Sequence, residues 1–399
     1  MTLLGKDMFK AFFTSEKSGG FVLIACTLIS LIIANSAWGE SYTHFWHQHL
    51  NLSFGGIALD YSLEHWVNDG LMAIFFLLVG LEIERELYVG ELSDIKNASL
   101  PIFAAMGGML VPAGIHLLFN AGTPTQSGFG IPMATDIAFA LGMLSLVGNR
   151  VPTSLKIFLT ALAIIDDLGA ILVIAIFYTS EFSGTYFLAS LVVFGILFLL
   201  GKLKVYRLWV YLIGGVVMWY CMLKSGIHST IAGVLLAFAV PFINEDDRNP
   251  SYKLQHALHN LVAFIILPLF ALANTAIVLP REIGASLLTR NALGIIIGLV
   301  AGKLIGIWSF CWLSVKAGVA RLPSDINWKL ITGVGLLGGI GFTMSIFITN
   351  LALTDIELIT GAKMSILTAS LIAAVLGLAV LKTTRLPAPA TTEEEENEG

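Results

Sequence analysis

The sequence is a succession of long apolar stretches joined by short polar ones. Apolar segments fall near 18–37, 60–83, 98–119, 127–147, 154–178, 185–201, 206–222, 226–243, 257–279, 291–316, 328–352 and 360–381. A helix needs about 20 residues to cross a bilayer, so each segment is of spanning length. Hydrophobic residues make up 56% of the 399-residue chain and charged residues 12%. A soluble domain cannot hide that much apolar surface. The expected fold is an all-α membrane protein with twelve transmembrane helices in one polytopic domain over 1–385. An acidic tail, 386–399, carries Glu393–Glu396 and is expected to be disordered.

The basic residues orient this reading. With the N-terminus placed inside, seventeen of the 22 Lys and Arg residues fall on the cytoplasmic side. Lys224, Arg281, Arg290 and Lys363 fall on the outer side, and Lys303 stays within a span. That asymmetry follows the positive-inside rule and puts both termini in the cytoplasm. Met1–Lys17 has apolar residues at helical spacing with lysines between them, as a helix lying on the membrane surface does. Phe21–Ala34 imitates a signal-peptide core, but the long leader before it favours a retained span.

The first outer loop is the longest. Leu50–Phe54 and Ile57–Tyr61 alternate around Gly55-Gly56, which reads as a β-hairpin over about 50–61. A lone hairpin is barely stable in water, so a second copy of the chain is its expected support. His44, His47 and His49 lack an acidic or cysteine partner at a standard metal-ligand spacing, so no zinc site is assigned. Cys26, Cys221 and Cys311 are far apart in apolar segments and read as small core residues.

Chemistry concentrates in a few places. Asp166 and Asp167 stand side by side in an apolar run from about Ile157 to Tyr178. Each aspartate near a helix centre costs about 2.5–3.5 kcal/mol to insert. Ionisable residues at such depth mark ion and proton paths; the alternative is a pair that only binds helices together. In the fourth segment Pro132 interrupts the helical ladder just before Thr135 and Asp136. Carbonyls, a hydroxyl and a carboxylate within one turn are hard ligands for a hard cation. The eleventh segment is interrupted by Gly333, Gly335, Gly338, Gly339 and Gly341. Gly333–Gly338 matches a dinucleotide fingerprint, but it lies in a span without the strand-then-helix unit such a site needs. Spans three to five and ten to twelve run in opposite senses, with broken segments at matching places. Such pairs point to a transporter binding site.

Lys303 needs an anionic partner, and Asp166 and Asp167 are the candidates; a purely structural salt bridge is the alternative. Glu82 and Glu86 share a face at the cytoplasmic end of the second span, beside Arg85. They read either as a cation-gathering funnel or as a solvated helix end. His256 and His259 begin the ninth span and titrate near neutral pH, though interfacial histidines are commonly plain anchors. His228 carries the same two readings.

The runs Asn68–Ala73, Phe75–Glu82, Pro132–Gly142, Ala163–Gly169, Ser225–Thr230 and Gly338–Met344 together resemble the NhaA family of bacterial sodium/proton antiporters, over nearly the whole chain. The resemblance implies crossed broken helices four and eleven, Na+ and proton exchange at Asp166 and Asp167, and Thr135 and Asp136 nearby. It implies that Asp136 and Lys303 balance the partial charges of facing helix ends. It further implies exchange of external protons for internal Na+ or Li+, with more than one proton per cation. Activation at alkaline pH through Glu82, Arg85, Glu86, His256 and His259 is implied, as is a homodimer through the outer hairpin. No resident cofactor and no nucleic-acid partner follow from it. Gln255 departs from the family pattern, which has glutamate there; that bears on the pH profile.

Rival classes fit less well. An intramembrane aspartyl protease draws its two aspartates from different helices, and a retinal-type receptor does not have twelve spans with two broken helices. A sodium-coupled symporter needs the same cation site, but no organic-substrate pocket is legible.

Overall fold

The computed structural model describes residues 16–55, 58–148, 151–179, 182–243, 249–280 and 282–384. The surface helix expected over Met1–Lys17 lies almost wholly outside them, as do the acidic tail and the loop Asn244–Arg248. The described chain is mostly helical. In order come α1 (Glu16–Ala34), α2 (Gly39–His47), strands β1 (His49–Asn51) and β2 (Asp60–Ser62), α3 (Leu63–Tyr88), α4 (Ile95–Asn120), α5 (Ile137–Ser145) and α6 (Thr153–Phe177). Then follow α7 (Gly184–Lys202), α8 (Leu208–Ser225), α9 (Ile231–Ala239), α10 (Pro250–Asn274), α11 (Ile283–Leu287), α12 (Arg290–Lys316), α13 (Trp328–Leu337), α14 (Phe342–Ala352) and α15 (Ile356–Thr383).

Among the described residues, nine helices are long and apolar enough to cross a membrane, or eleven if each bent pair counts as one span. The bent pairs are α1 with α2, at 115°, and α13 with α14, at 48°. The apolar stretch near 226–243 is helical only over Ile231–Ala239. Gly226 ends α8 in the left-handed region, at φ 81°, and turns occupy the residues before α9. Lys363, expected on the outer side, lies inside α15 and is buried.

Apolar side chains cover much of the surface as well as filling the interior. Leu188, Val192, Ile196 and Leu199 of α7 and Trp209, Ile213 and Val216 of α8 are exposed, as residues facing lipid are. The interior holds two apolar cores. Among the described residues, the larger joins α1–α6, α10 and α12–α15, with Val234 of α9; the smaller joins α7–α10, with Leu77 and Leu81 of α3. Thus α3 serves both bundles: Phe75, Phe76, Leu78 and Val79 face the larger.

Helix α12 packs closely along α4. A Cβ at Gly306 would stand 2.0 Å from the Gly107 carbonyl oxygen, so only glycine permits this approach. It brings Lys303, one turn away, into the interior. The hairpin pairs β1 and β2 antiparallel, with Leu50 opposite Tyr61. The ladder is shorter than the alternation predicts, although Leu52 N–H still donates to the Leu59 carbonyl at 2.9 Å.

Candidate ion-binding site

Two interrupted segments meet beside α6. A 3-10 stretch, Gln126–Met133, contains Pro132 and gives way to non-helical backbone at Ala134–Asp136 before α5 begins. Between α13 and α14 lies the Gly338–Gly341 break. A Cβ at Gly339 would meet the Leu299 carbonyl oxygen at 2.3 Å, so glycine lets this break lie against α12. The breaks are joined directly: Asp136 N–H donates to the Ile340 carbonyl at 2.7 Å. The Thr135 hydroxyl lies 2.8 Å from the Gly338 carbonyl oxygen.

The starts of α5 and α14 leave unpaired N–H groups and a positive partial charge, as every helix N-terminus does. Asp136 answers two of them. Its Oδ1 accepts from Phe139 N–H at 2.9 Å, capping α5. Its Oδ2 accepts from Thr343 N–H at 3.1 Å and also from the Thr343 hydroxyl, at the start of α14. Both carboxylate oxygens are therefore occupied by donors. This arrangement suits charge compensation better than cation ligation.

Asp166 and Asp167 are buried on α6. Asp166 Oδ2 receives the Lys303 ammonium at 2.5 Å and lies 2.8 Å from the Thr135 hydroxyl. Asp166 Oδ1 and Asp167 Oδ1 are buried with no hydrogen-bond partner among the described residues. A threonine hydroxyl carries one proton. Thr135 shares it between the Gly338 carbonyl and Asp166 Oδ2, which joins α6 to the second break.

A cavity of about 1010 Å³ leads towards this centre. Glu82, Arg85 and Glu86 of α3 and Gln255 and His259 of α10 line it, and it reaches Asp136 and Thr343. Asp166 and Asp167 do not line the cavity. Nor does His256, whose ring is stacked on Tyr252 with centroids 6.5 Å apart. His228 lies elsewhere, with Nε2 2.8 Å from the Tyr178 carbonyl oxygen.

Two polar residues escaped the sequence reading. Thr343 supplies two donors to Asp136, from 207 residues away. Glu84 is 4% exposed, and its Oε2 accepts from the Ser251 hydroxyl at 2.9 Å at the start of α10. A signal existed for Glu84: positions two apart on a helix point about 200° apart. It had to face away from the Glu82 and Glu86 side.

Residues 10–381 match the family model described as Na+/H+ antiporter 1. The Na(+)/H(+) antiporter NhaA of Flavobacterium psychrophilum is 61% identical over 94% of this chain and 96% of its own length. That of Dechloromonas aromatica is 60% identical over 92% and 94%, and that of Cytophaga hutchinsonii 56% identical over 95% and 96%. With several apolar helices of spanning length in its fold, the chain is a multi-pass membrane protein that belongs to the NhaA family of Na+/H+ antiporters.

Proposed function

We propose that this protein exports cytoplasmic Na+ or Li+ in exchange for external protons, more than one per cation, and that Asp166 and Asp167 carry both. The supporting observation is the pair of buried carboxylates, each with an oxygen that lacks a partner among the described residues, beside the contact of Thr135 and Asp136 with the Gly338–Ile340 backbone. Adjacent carboxylates in a poorly solvated place do not both ionise easily and titrate as a unit. A cation supplies the missing positive charge and displaces protons; protons neutralise the pair and displace the cation. In this reading Asp167 is the principal Na+ ligand, Asp166 is the proton carrier partnered by Lys303, and Thr135 lends a hydroxyl. Asp136 and Lys303 compensate charge at the helix ends. If more than one proton replaces each Na+, every cycle moves net charge and feels the membrane potential, about 2.3 kcal/mol per charge per 100 mV.

The architecture we propose around this chemistry has twelve spans. Spans three to five and ten to twelve form inverted repeats, and the two bundles rock to give alternating access. The termini and the mouth of the cavity face the cytoplasm, across a bacterial inner membrane. Glu82, Arg85, Glu86, His256 and His259 set the pH response. The outer hairpin joins two copies in a lipid-embedded dimer, and no resident cofactor is needed.

The test is exchange in proteoliposomes with an interior pH dye. Na+ added outside, without any organic solute, should drive protons out and raise the interior pH. No proton movement under a Na+ gradient would overturn the reading.

A further inference from the structure

A second buried lysine lies at the end of the membrane opposite the cavity mouth. Lys363 of α15 is 7% exposed. Its ammonium lies 3.8 Å from Glu64 Oε1 and 3.5 Å from Asn274 Oδ1. Asn274 is the hub of a cluster. Its amide nitrogen donates to Asn68 Oδ1 at 2.7 Å and to the Phe270 carbonyl at 3.0 Å. Its Oδ1 also accepts from the Asn350 amide at 2.6 Å. The hydrogen-bonding capacity of Asn274 is therefore filled, by groups from α3, α10, α14 and α15.

The position follows from helix geometry. Glu64 and Glu82 are 18 residues apart on α3, about 27 Å of helix. Asn350 lies seven residues beyond Thr343 on α14, about 10 Å from the Asp136 contact. Helix α14 is thus tied at its start to the ion site and near its finish to the Asn274 cluster. Packing alone would hold these helices together at no cost in buried charge. A polar seam differs from an apolar one in that its groups can be rehydrated when it parts.

We infer that Lys363 and Asn274 form a latch that keeps the far side closed to the ion site, and that parts when the site opens to that side. Lys363 is then a positioning residue for the exchange cycle: its ammonium draws Glu64 of α3 towards α15 while Asn274 holds α14. Glu64 also faces His47 Nε2 at 3.8 Å. This inference rests on the alternating-access reading above.

The experiment measures half-saturating Na+ separately at each face of the full-length protein in oriented proteoliposomes. Apparent affinity scales with the fraction of molecules open to the side tested. In Lys363→Met, half-saturation should fall about threefold or more at the far face and rise at the cavity face, and Lys363→Arg should restore the parent values. Mere structural damage would lower the maximal rate at both faces without moving the two half-saturations in opposite directions. An unchanged ratio between the faces overturns the latch. Should Lys363→Met fail to assemble, Glu64→Gln, at a partly exposed residue, must shift the ratio in the same direction, and no shift there overturns it equally. Failure of the antiport reading looks different: the unmodified protein would move no protons in response to Na+ at either face.

Discussion

Lys303 and Asp166 form an ion pair that solvent does not reach: Nζ and Oδ2 are 2.5 Å apart, and both side chains are 0% exposed. Removing one partner of such a pair typically costs about 3–5 kcal/mol, because the other charge is left buried and uncompensated. Lys303→Ala is therefore expected to lower stability by about 3 kcal/mol or more, read as a fall in the melting temperature of the purified protein. The pH dependence of exchange should change with it, since Asp166 loses its ion-pair partner. An unchanged melting temperature with a normal pH profile would make the lysine dispensable for both roles.

The cavity sorts the candidate pH-responsive residues by position. Glu82, Glu86 and His259 line it, whereas His256 stacks on Tyr252. Neutralising Glu82, Glu86 and His259 together should move the pH at which exchange begins more than it alters Na+ affinity at optimal pH. His256→Gln alone should move it less. A profile that stays in place in the combined variant would assign pH sensing to the aspartate pair itself.

The hairpin exposes Leu50, Leu52 and Phe54, and its ladder is short. Deleting Leu50–Tyr61 should shift the purified protein from dimer to monomer, as read by light scattering, while leaving part of the transport activity. A dimer that survives the deletion would remove the hairpin from the interface.

The membrane-embedded character was plain from the sequence because bilayer thickness fixes helix length, and composition leaves no alternative. The edges were less legible. Helix α15 starts at Ile356 rather than near 360, because a helix continues past its apolar run into the interface. Lys363, seven residues into this helix, is buried. The site was legible where two signals were adjacent, as at Asp166-Asp167, or where one charge stood alone in a span, as at Lys303. It was not legible where the partner is distant in sequence. For Asp136 the spacing suggests an oxygen ligand and the family resemblance a charge-compensating group, but nothing nearby announces that Thr343 donates to its Oδ2. Glu84 merged into a charged helix end, although its helical position separates it from Glu82 and Glu86. The Asn274 cluster left no trace, since single asparagines in apolar segments carry no spacing to count.

The central claim is that Asp167 binds the transported cation. Asp167→Asn keeps the size of the side chain and removes both its charge and its titrating proton. No other carboxylate in α6 can replace it except Asp166, which already pairs with Lys303. The most direct measurement is calorimetric Na+ binding to purified Asp167→Asn, run beside exchange in proteoliposomes. The expected result is a folded protein with no measurable heat of Na+ binding and no exchange, while Asp166→Asn also loses exchange but keeps some binding. Normal binding and normal electrogenic exchange by Asp167→Asn would contradict the assignment.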